Sequence, residues 1–193
     1  MATLIVLSLR IIGAYGIFRE RVVRLFAIAI LSLSLYGCLG APDGVQPVKD
    51  FAIQPYLGRW YEIARLDHSF ERGLIEVTAE YSLREDGGIR VINSGRSAET
   101  GEPSRAEGRA YFVGSEDVGH LKVSFFGPFF GSYIVFELDT ENYQYAFVAG
   151  NTTDYLWLLA RTPQVSDQVM DRFLERASSL GFNTDNLILV PQS

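Results

Sequence analysis

Apolar and polar residues alternate over short runs along most of the chain from residue 60 to residue 161. Each run is closed by Gly, Pro, Asp or Asn, which favour turns, as a series of antiparallel strands requires. The eight runs span residues 60–66, 77–83, 89–94, 106–113, 121–126, 133–139, 145–151 and 155–161. Because their connections are short, the pattern predicts an all-β fold, an eight-stranded up-and-down antiparallel barrel closed on itself without a free sheet edge.

One segment near the C-terminus has a helical period instead. Apolar residues recur at spacings of three and four from Val169 to Leu180, Ser166 is a suitable N-cap, and Gly181 follows as a C-cap. This pattern predicts one C-terminal amphipathic α-helix, packed on the outside of the barrel because its apolar stripe must be buried. A short final strand is predicted over residues 186–190.

Residues 1–37 have the pattern of a signal peptide. Three arginines between residues 19 and 24 precede an apolar run over 25–35, which small residues follow. The run is too short to span a bilayer comfortably, since about 20 residues are needed. Its end, Leu35-Tyr36-Gly37-Cys38, resembles the lipobox of bacterial lipoproteins, although a smaller residue than Tyr36 is usual there.

Cys38 is therefore the expected lipid attachment site. By resemblance to such lipoproteins, its sulfur receives diacylglycerol and the new N-terminus is then palmitoylated, which gives lasting membrane attachment because several acyl chains are buried. Leu39 stands where an inner-membrane retention signal would show Asp, so the resemblance implies an outer-membrane protein whose barrel faces the periplasm. The alternative is an unmodified structural cysteine.

The first 18 residues make the segment before Cys38 longer than a signal peptide needs. One interpretation is that residues 1–21 result from a misassigned start, with translation beginning at Val22 or Val23. The other is a genuine extra membrane segment.

Residues 38–50 contain two glycines and two prolines between positions 40 and 47, a composition typical of a flexible tether. The lipidated tether is expected to end where order begins near Phe51, and residues 51–193 are expected to form the folded domain.

Three short motifs now carry a family resemblance. They are Gly58-Arg59-Trp60-Tyr61 on the first strand, Thr153-Asp154-Tyr155 before the eighth strand, and Ala160-Arg161-Thr162-Pro163 at its end. Together they resemble the three motifs of the lipocalin family, and the similarity runs from about residue 51 to the end. The family's role for Gly58, Trp60, Asp154 and Arg161 is structural, and a guanidinium stacked on the indole suits closure of one end of the barrel.

The interior of the barrel is the expected ligand pocket. Continuing the alternation from the motifs places an apolar and aromatic set inside, namely Val77, Ala79, Tyr81, Ala110, Phe112, Val123, Phe125, Tyr133, Val135, Tyr155 and Trp157. Such a set suits an aliphatic chain oriented by a few hydrogen bonds. The resemblance implies a fatty acid or a lysophospholipid as ligand, in a lipid-binding lipoprotein that stores or transports membrane-derived lipids. The alternative is a structural envelope lipoprotein with a filled barrel.

Residues 125–131 form a turn with four phenylalanines, which is unusual because turns are normally polar. The turn is expected either to lie at the barrel mouth and meet a membrane or lipid, or to form a homodimer contact. The third alternative is that its rings fold back into the barrel.

Charge and chemistry exclude several functions. The chain has 17 basic and 23 acidic residues, and without residues 1–37, which hold four Arg and one Glu, its formal net charge goes from −6 to −9. Such a balance, without a basic patch, is unsuited to nucleic acid. Cys38 is the single cysteine, and His68 and His120 are expected as solvated loop residues, so we expect no disulfide, metal site, cofactor or enzymatic activity.

Overall fold

The computed structural model describes residues 39–192. The expected signal peptide, the two interpretations of the start, and the acylation of Cys38 lie outside the described residues.

Nine strands and two α-helices follow one another along the described chain. The strands are β1 (Gly58–Leu66), β2 (Leu74–Leu83), β3 (Ile89–Ser97), β4 (Pro103–Phe112), β5 (His120–Ser124), β6 (Gly131–Leu138), β7 (Tyr145–Ala149), β8 (Leu156–Ala160) and β9 (Leu187–Leu189). A short helix α1 (Ile53–Tyr56) precedes β1, and α2 (Asp167–Ser179) follows β8, before a 3₁₀ turn at Thr184–Asn186. No described helix is long and apolar enough to cross a bilayer.

The first eight strands form one closed antiparallel barrel. Each of β2 to β8 pairs with its neighbour in sequence, and β1 closes the ring by pairing with β8 on one side and β2 on the other. The pairing with β2 uses the first half of β1, from Gly58 to Tyr61, while the second half pairs with β9. The predicted eight-stranded up-and-down barrel is thus confirmed, and β9 adds a short outer pairing.

The barrel wall separates two hydrophobic clusters. The inner one includes Trp60, Ala79 and Val148, whereas the outer one joins the wall to α2 through Phe173, whose ring centroid lies 5.0 Å from that of Phe147. Ser166 caps α2 through its side chain, as predicted. The predicted external helix is confirmed, because its apolar stripe is buried against the barrel wall.

Residues 40–50 differ from the expected flexible tether. Val45 is buried in the outer cluster, and Val48 exchanges backbone hydrogen bonds with Val135 and Gly119. Ser132 also donates to the carbonyl of Gly40 at 2.8 Å. The sequence composition indicated a loop, but these contacts hold the loop against the barrel, so order begins well before Phe51.

Hydrophobic clusters lie on both faces of the sheet that residues 39–192 form. The compact unit that contains them, residues 38–193, has the closed wall and the two hydrophobic clusters that an independent domain needs. We therefore treat residues 39–193 as able to fold without the N-terminal segment.

Candidate functional site: the interior of the barrel

Two adjoining chambers occupy the interior of the barrel. The inner chamber has a volume of about 90 Å³ and the outer chamber about 500 Å³. Seven residues line both of them and form a neck, namely Phe70, Glu71, Asn93, Val123, Phe125, Ser132 and Trp157. The two chambers therefore adjoin each other, with the side chains of the neck between them.

The inner chamber lies toward the closed end, where α1 covers the barrel. Ile53 and Tyr56 of α1 line it together with Tyr81 and Tyr133. The Tyr133 hydroxyl lies 2.6 Å from that of Tyr56 and 2.9 Å from that of Tyr81. Burial raises the pKa of all three phenols, so they stay protonated and give an otherwise apolar chamber a chain of neutral hydroxyls.

The outer chamber lies at the opposite end, among the loops β1–β2, β5–β6 and β7–β8. Its wall is mainly aromatic and includes Phe70, Tyr155 and Trp157, as well as phenylalanines of the β5–β6 loop. Stacking keeps this wall together, because the rings of Tyr155 and Trp157 lie 6.1 Å apart and nearly parallel. Its size is within the range of pockets that hold small ligands.

Nine of the eleven predicted pocket residues line this cavity. Ala79, Tyr81, Ala110 and Tyr133 line the inner chamber, Val77 and Tyr155 the outer one, and Val123, Phe125 and Trp157 line both. Phe112 and Val135 also belong to the inner cluster but do not line the cavity. The segment before α1, residues 48–51, explains this difference. The ring centres of Phe51 and Phe112 lie 6.1 Å apart, and the backbone N–H of Val48 donates to the carbonyl of Val135.

A cluster of buried charges at the neck was missed by the sequence analysis. Glu62, Arg65, His68 and Glu71 are all buried, with exposed fractions between 1% and 5%. Nη1 of Arg65 donates to Oε1 of Glu62 at 2.6 Å, and its Nη2 donates to the carbonyl of Glu71 at 2.9 Å. The guanidinium thereby fixes the β1–β2 loop against the barrel wall.

The carboxylate of Glu71 collects several donors. Nε1 of Trp157 donates to its Oε2 at 3.2 Å, Nδ2 of Asn93 donates to its Oε1 at 3.3 Å, and Nε2 of His68 lies 3.1 Å from Oε2. Burial by itself would raise the pKa of Glu71, but its interactions with His68, Trp157 and Glu62 lower it. Glu71 is therefore the ionised partner, and it lines both chambers.

The pKa of Glu62 moves in the opposite direction from that of Glu71. Burial, followed by the negative charge of Glu71, raises the pKa of Glu62 well above its usual value, against the opposing effect of Arg65. Burial and the charge of Glu71 therefore both oppose the ionisation of Glu62.

A β-bulge in β1 explains how two opposite charges point inward three residues apart. The register of β1 against β8 shifts between Glu62 and Ala64, so that Glu62 pairs with Leu159 and Arg65 with Trp157. Without this shift, strict alternation would place Arg65 on the outer face. Alternation from Trp60 does predict that Glu62 points inward, which was the available sequence signal.

The two histidines are not the solvated residues that were expected. His68 is buried in the β1–β2 loop, where its ring stacks on Phe70 with centroids 3.9 Å apart. His120 is the first residue of β5, and partial burial lowers its pKa. The prediction failed for His68 because its loop folds over the barrel mouth, and for His120 because the residue belongs to a strand. Within residues 39–192, no group of three or more His, Cys, Asp and Glu is arranged to hold a metal ion.

The closed end is held by the predicted pair of Trp60 and Arg161. The guanidinium carbon of Arg161 lies 3.9 Å from the centre of the indole ring, and Nε1 of Trp60 donates to the carbonyl of Tyr56 at 2.8 Å. The guanidinium also donates four hydrogen bonds, at 2.5, 2.9, 2.7 and 3.3 Å, to the carbonyl oxygens of Pro55, Leu57, Arg59 and Tyr143. It therefore ties α1, the start of β1 and the β6–β7 loop together.

The other two predicted structural residues lie at opposite ends. Gly58 begins β1 with a φ of +88°, a conformation that favours glycine, beside Nη1 of Arg161. Asp154 lies in the turn before β8, where the hydroxyl of Thr152 donates to its Oδ2 at 3.1 Å. None of the four structural residues lines the cavity.

Comparison with known proteins supports the same fold. Residues 51–192 match the model of the lipocalin-like domain family. The outer membrane lipoprotein Blc of Vibrio cholerae is 59% identical over 169 residues, covering 88% of this chain and 99% of that protein. Apolipoprotein D of Bos taurus is 30% identical over 182 residues, covering 86% of this chain and 95% of that protein.

A solved structure agrees at the level of the fold. Insecticyanin from the tobacco hornworm Manduca sexta superposes with a TM-score of 0.63 at 23% identity, covering 80% of this chain and 87% of that one. The closed eight-stranded barrel, the external helix and the matched family model lead to one conclusion: the chain belongs to the lipocalin family.

Proposed function

We propose that this protein binds a membrane-derived lipid inside its barrel and stores or transports it at the bacterial outer membrane. The observation that carries the proposal is the pair of adjoining chambers inside the barrel, an aromatic outer one of about 500 Å³ and an inner one of about 90 Å³, which share the residues of the neck. A narrow apolar cavity of this kind suits a single aliphatic chain.

The energy available from such a ligand is sufficient for useful affinity. Burying a chain of about 16 carbons contributes on the order of 10 kcal/mol before the entropic costs of binding are subtracted. Fatty acids and lysophospholipids are the proposed ligands. The ionised Glu71 at the neck disfavours an anionic group in the inner chamber, so these ligands bind with the acyl chain inward and the head group toward the mouth.

The location follows from the same comparisons. Relatives in Vibrio cholerae and Escherichia coli, the latter 48% identical over 174 residues, bear the name outer membrane lipoprotein Blc. Cys38, at the end of the lipobox-like sequence, is the proposed site of the acyl anchor. Residues 40–50 pack on the barrel, so the anchor lies close to the domain.

Lipid uptake by residues 39–193 tests the proposal. The delipidated domain is titrated with a fluorescent fatty acid and a fluorescent lysophospholipid, and saturable uptake is expected. Ala79→Trp fills the inner chamber and should weaken uptake at least tenfold, whereas Ala52→Trp, exposed before α1, should not change it. A thermal melt of each variant confirms folding. Absence of uptake by the unmodified domain would instead favour a structural envelope lipoprotein.

The anchor is tested separately. Cys38→Ser in the full chain should abolish metabolic labelling by radioactive palmitate and leave lipid uptake by the barrel intact. Continued labelling would refute Cys38 as the acylated residue.

A further inference from the structure

The most exposed large apolar side chains of the described domain lie together in the β5–β6 loop. Phe126 is 77% exposed and Phe129 is 79% exposed, whereas the other exposed large apolar residues of this part of the chain range from 41% to 65%. Both phenylalanines also contribute to the wall of the outer chamber. The loop therefore presents aromatic rings to the surroundings directly beside the mouth of the cavity.

Two cations converge on the same loop. The guanidinium carbon of Arg109 lies 5.6 Å from the ring centre of Phe130, and Nζ of Lys122 lies 5.3 Å from it. Gly127 lets the guanidinium approach closely, because a Cβ there would lie 2.7 Å from Nη2 of Arg109. Cation–π contacts thus hold two positive charges at the base of the exposed rings.

These two cations are not neutralised by neighbouring carboxylates. Seven other arginines of the described chain form ion pairs, namely Arg65, Arg72, Arg84, Arg90, Arg96, Arg172 and Arg176. Neither Arg109 nor Lys122 has a carboxylate within ion-pair distance among the described residues, and residues 125–131 contain no acidic residue. The folded domain therefore has a basic and aromatic surface that its net charge of −9 conceals.

We propose that this surface, formed by Phe126, Phe129, Phe130, Arg109 and Lys122 and here called the phenylalanine rim, docks the mouth of the barrel onto an anionic lipid bilayer. Aromatic rings enter the boundary between head groups and acyl chains, while adjacent cations attract anionic head groups. Both features are present here at one place. A polar protein partner would not explain two rings that are more than three-quarters exposed.

A second copy of the chain is a less suitable occupant. A symmetric contact through the rim would bring the uncompensated Arg109 and Lys122 of both copies together. An anionic bilayer removes this repulsion and also covers the rings. The inference concerns how the domain meets a membrane, so it does not require that the barrel carry a lipid.

Vesicle binding by residues 39–193, which lack the acyl anchor, tests the inference. The domain is floated with vesicles of phosphatidylcholine, with and without phosphatidylglycerol, at low and at high salt. We expect binding that needs phosphatidylglycerol and weakens with salt. Phe126→Ser with Phe129→Ser should reduce binding at least tenfold, and replacing Arg109 and Lys122 by Gln should reduce it about fivefold per cation.

Matched controls lie at the opposite end of the barrel. Leu83→Ser removes an exposed apolar side chain and Arg59→Gln removes an exposed cation there, and neither should change vesicle binding. Equal binding by the double serine variant and the unmodified domain would overturn the inference. A second outcome would also overturn it: neither protein binds vesicles, and sedimentation equilibrium shows that the unmodified domain forms a dimer which the double serine variant does not form. Lipid uptake from vesicle-free solution is measured in parallel, so failure of docking and failure of carriage remain distinguishable.

Discussion

Replacing Arg161 by Met tests the closed end of the barrel. The substitution keeps most of the aliphatic stem and removes the charge and all donors of the guanidinium. It therefore removes the stack on Trp60 and the four hydrogen bonds to carbonyl oxygens, while changing the packed volume little. The segment that contains α1 loses its tie to the β6–β7 loop.

The expected loss of unfolding free energy depends on how exposed each lost contact is. The bonds to Pro55 and Arg59 are at exposed positions, where water replaces the lost donor at small cost. The bond to Leu57 is partly buried at 2.9 Å, and the bond to Tyr143 is partly buried but longer, at 3.3 Å. With the loss of the cation–π contact, we expect the unfolding free energy to fall by about 3–4 kcal/mol.

Urea denaturation of residues 39–193, followed by tryptophan fluorescence and far-UV circular dichroism, measures this loss. A decrease of that size corresponds to a Tm lower by about 6–16 °C for a domain of this length. Arg59→Met, which removes an exposed cation from the same end, should cost less than about 0.5 kcal/mol. A loss below about 1 kcal/mol for Arg161→Met would refute the closing role of the guanidinium.

Three further predictions concern the neck, the outer core and the N-terminal segment. Because the pKa of Glu62 is raised in the folded state, its contribution to stability is present below its unfolded pKa and lost as pH rises through the folded value. Glu62→Gln should therefore reduce the fall in stability as pH rises above the usual pKa of a carboxyl group. Urea denaturation over a series of pH values measures this, and an unchanged fall would contradict it. Phe173→Ala should lower the unfolding free energy by about 3–5 kcal/mol, against little change for exposed Asp171→Ala, and a loss below about 1 kcal/mol would contradict burial of the ring under the wall. Val45→Ser should cost about 2 kcal/mol and speed proteolysis within residues 40–50, whereas unchanged cleavage would show that this segment is not held by Val45.

Alternation predicted which strands exist better than where they end. The β3–β4 hairpin extends to the pair Arg96 and Pro103, beyond the predicted limits of residues 94 and 106. Its outer residues, Gly95 and Ser104, line the wide mouth of the cavity, where small and polar residues suffice. An apolar signal is absent there because that part of the wall borders the open chamber, so the pattern ends before the strand does.

The charged neck was beyond the reach of the sequence for a different reason. Alternation from Trp60 carries Glu62 inward, but a bulge of one residue is needed to turn Arg65 inward as well. Glu71 and His68 come from a loop that contacts Trp157 and Tyr155 on the opposite side of the mouth. These placements are decided by long-range packing, which a period along the chain does not report.

The phenylalanine rim illustrates why the net charge of a chain is a poor guide to its membrane contacts. At physiological ionic strength a charge is screened within about 8 Å, so a bilayer that touches Arg109 and Lys122 senses them more strongly than acidic residues at the other end of the barrel. The same bilayer also buries the apolar rings of Phe126 and Phe129, and this contribution to binding does not depend on salt. The proposed acyl anchor at Cys38 would confine the domain to the membrane surface, where even weak docking through the rim would be largely populated because it is effectively intramolecular. In this proposal the anchor would keep the domain at the membrane, and the rim would orient the mouth of the cavity toward the bilayer.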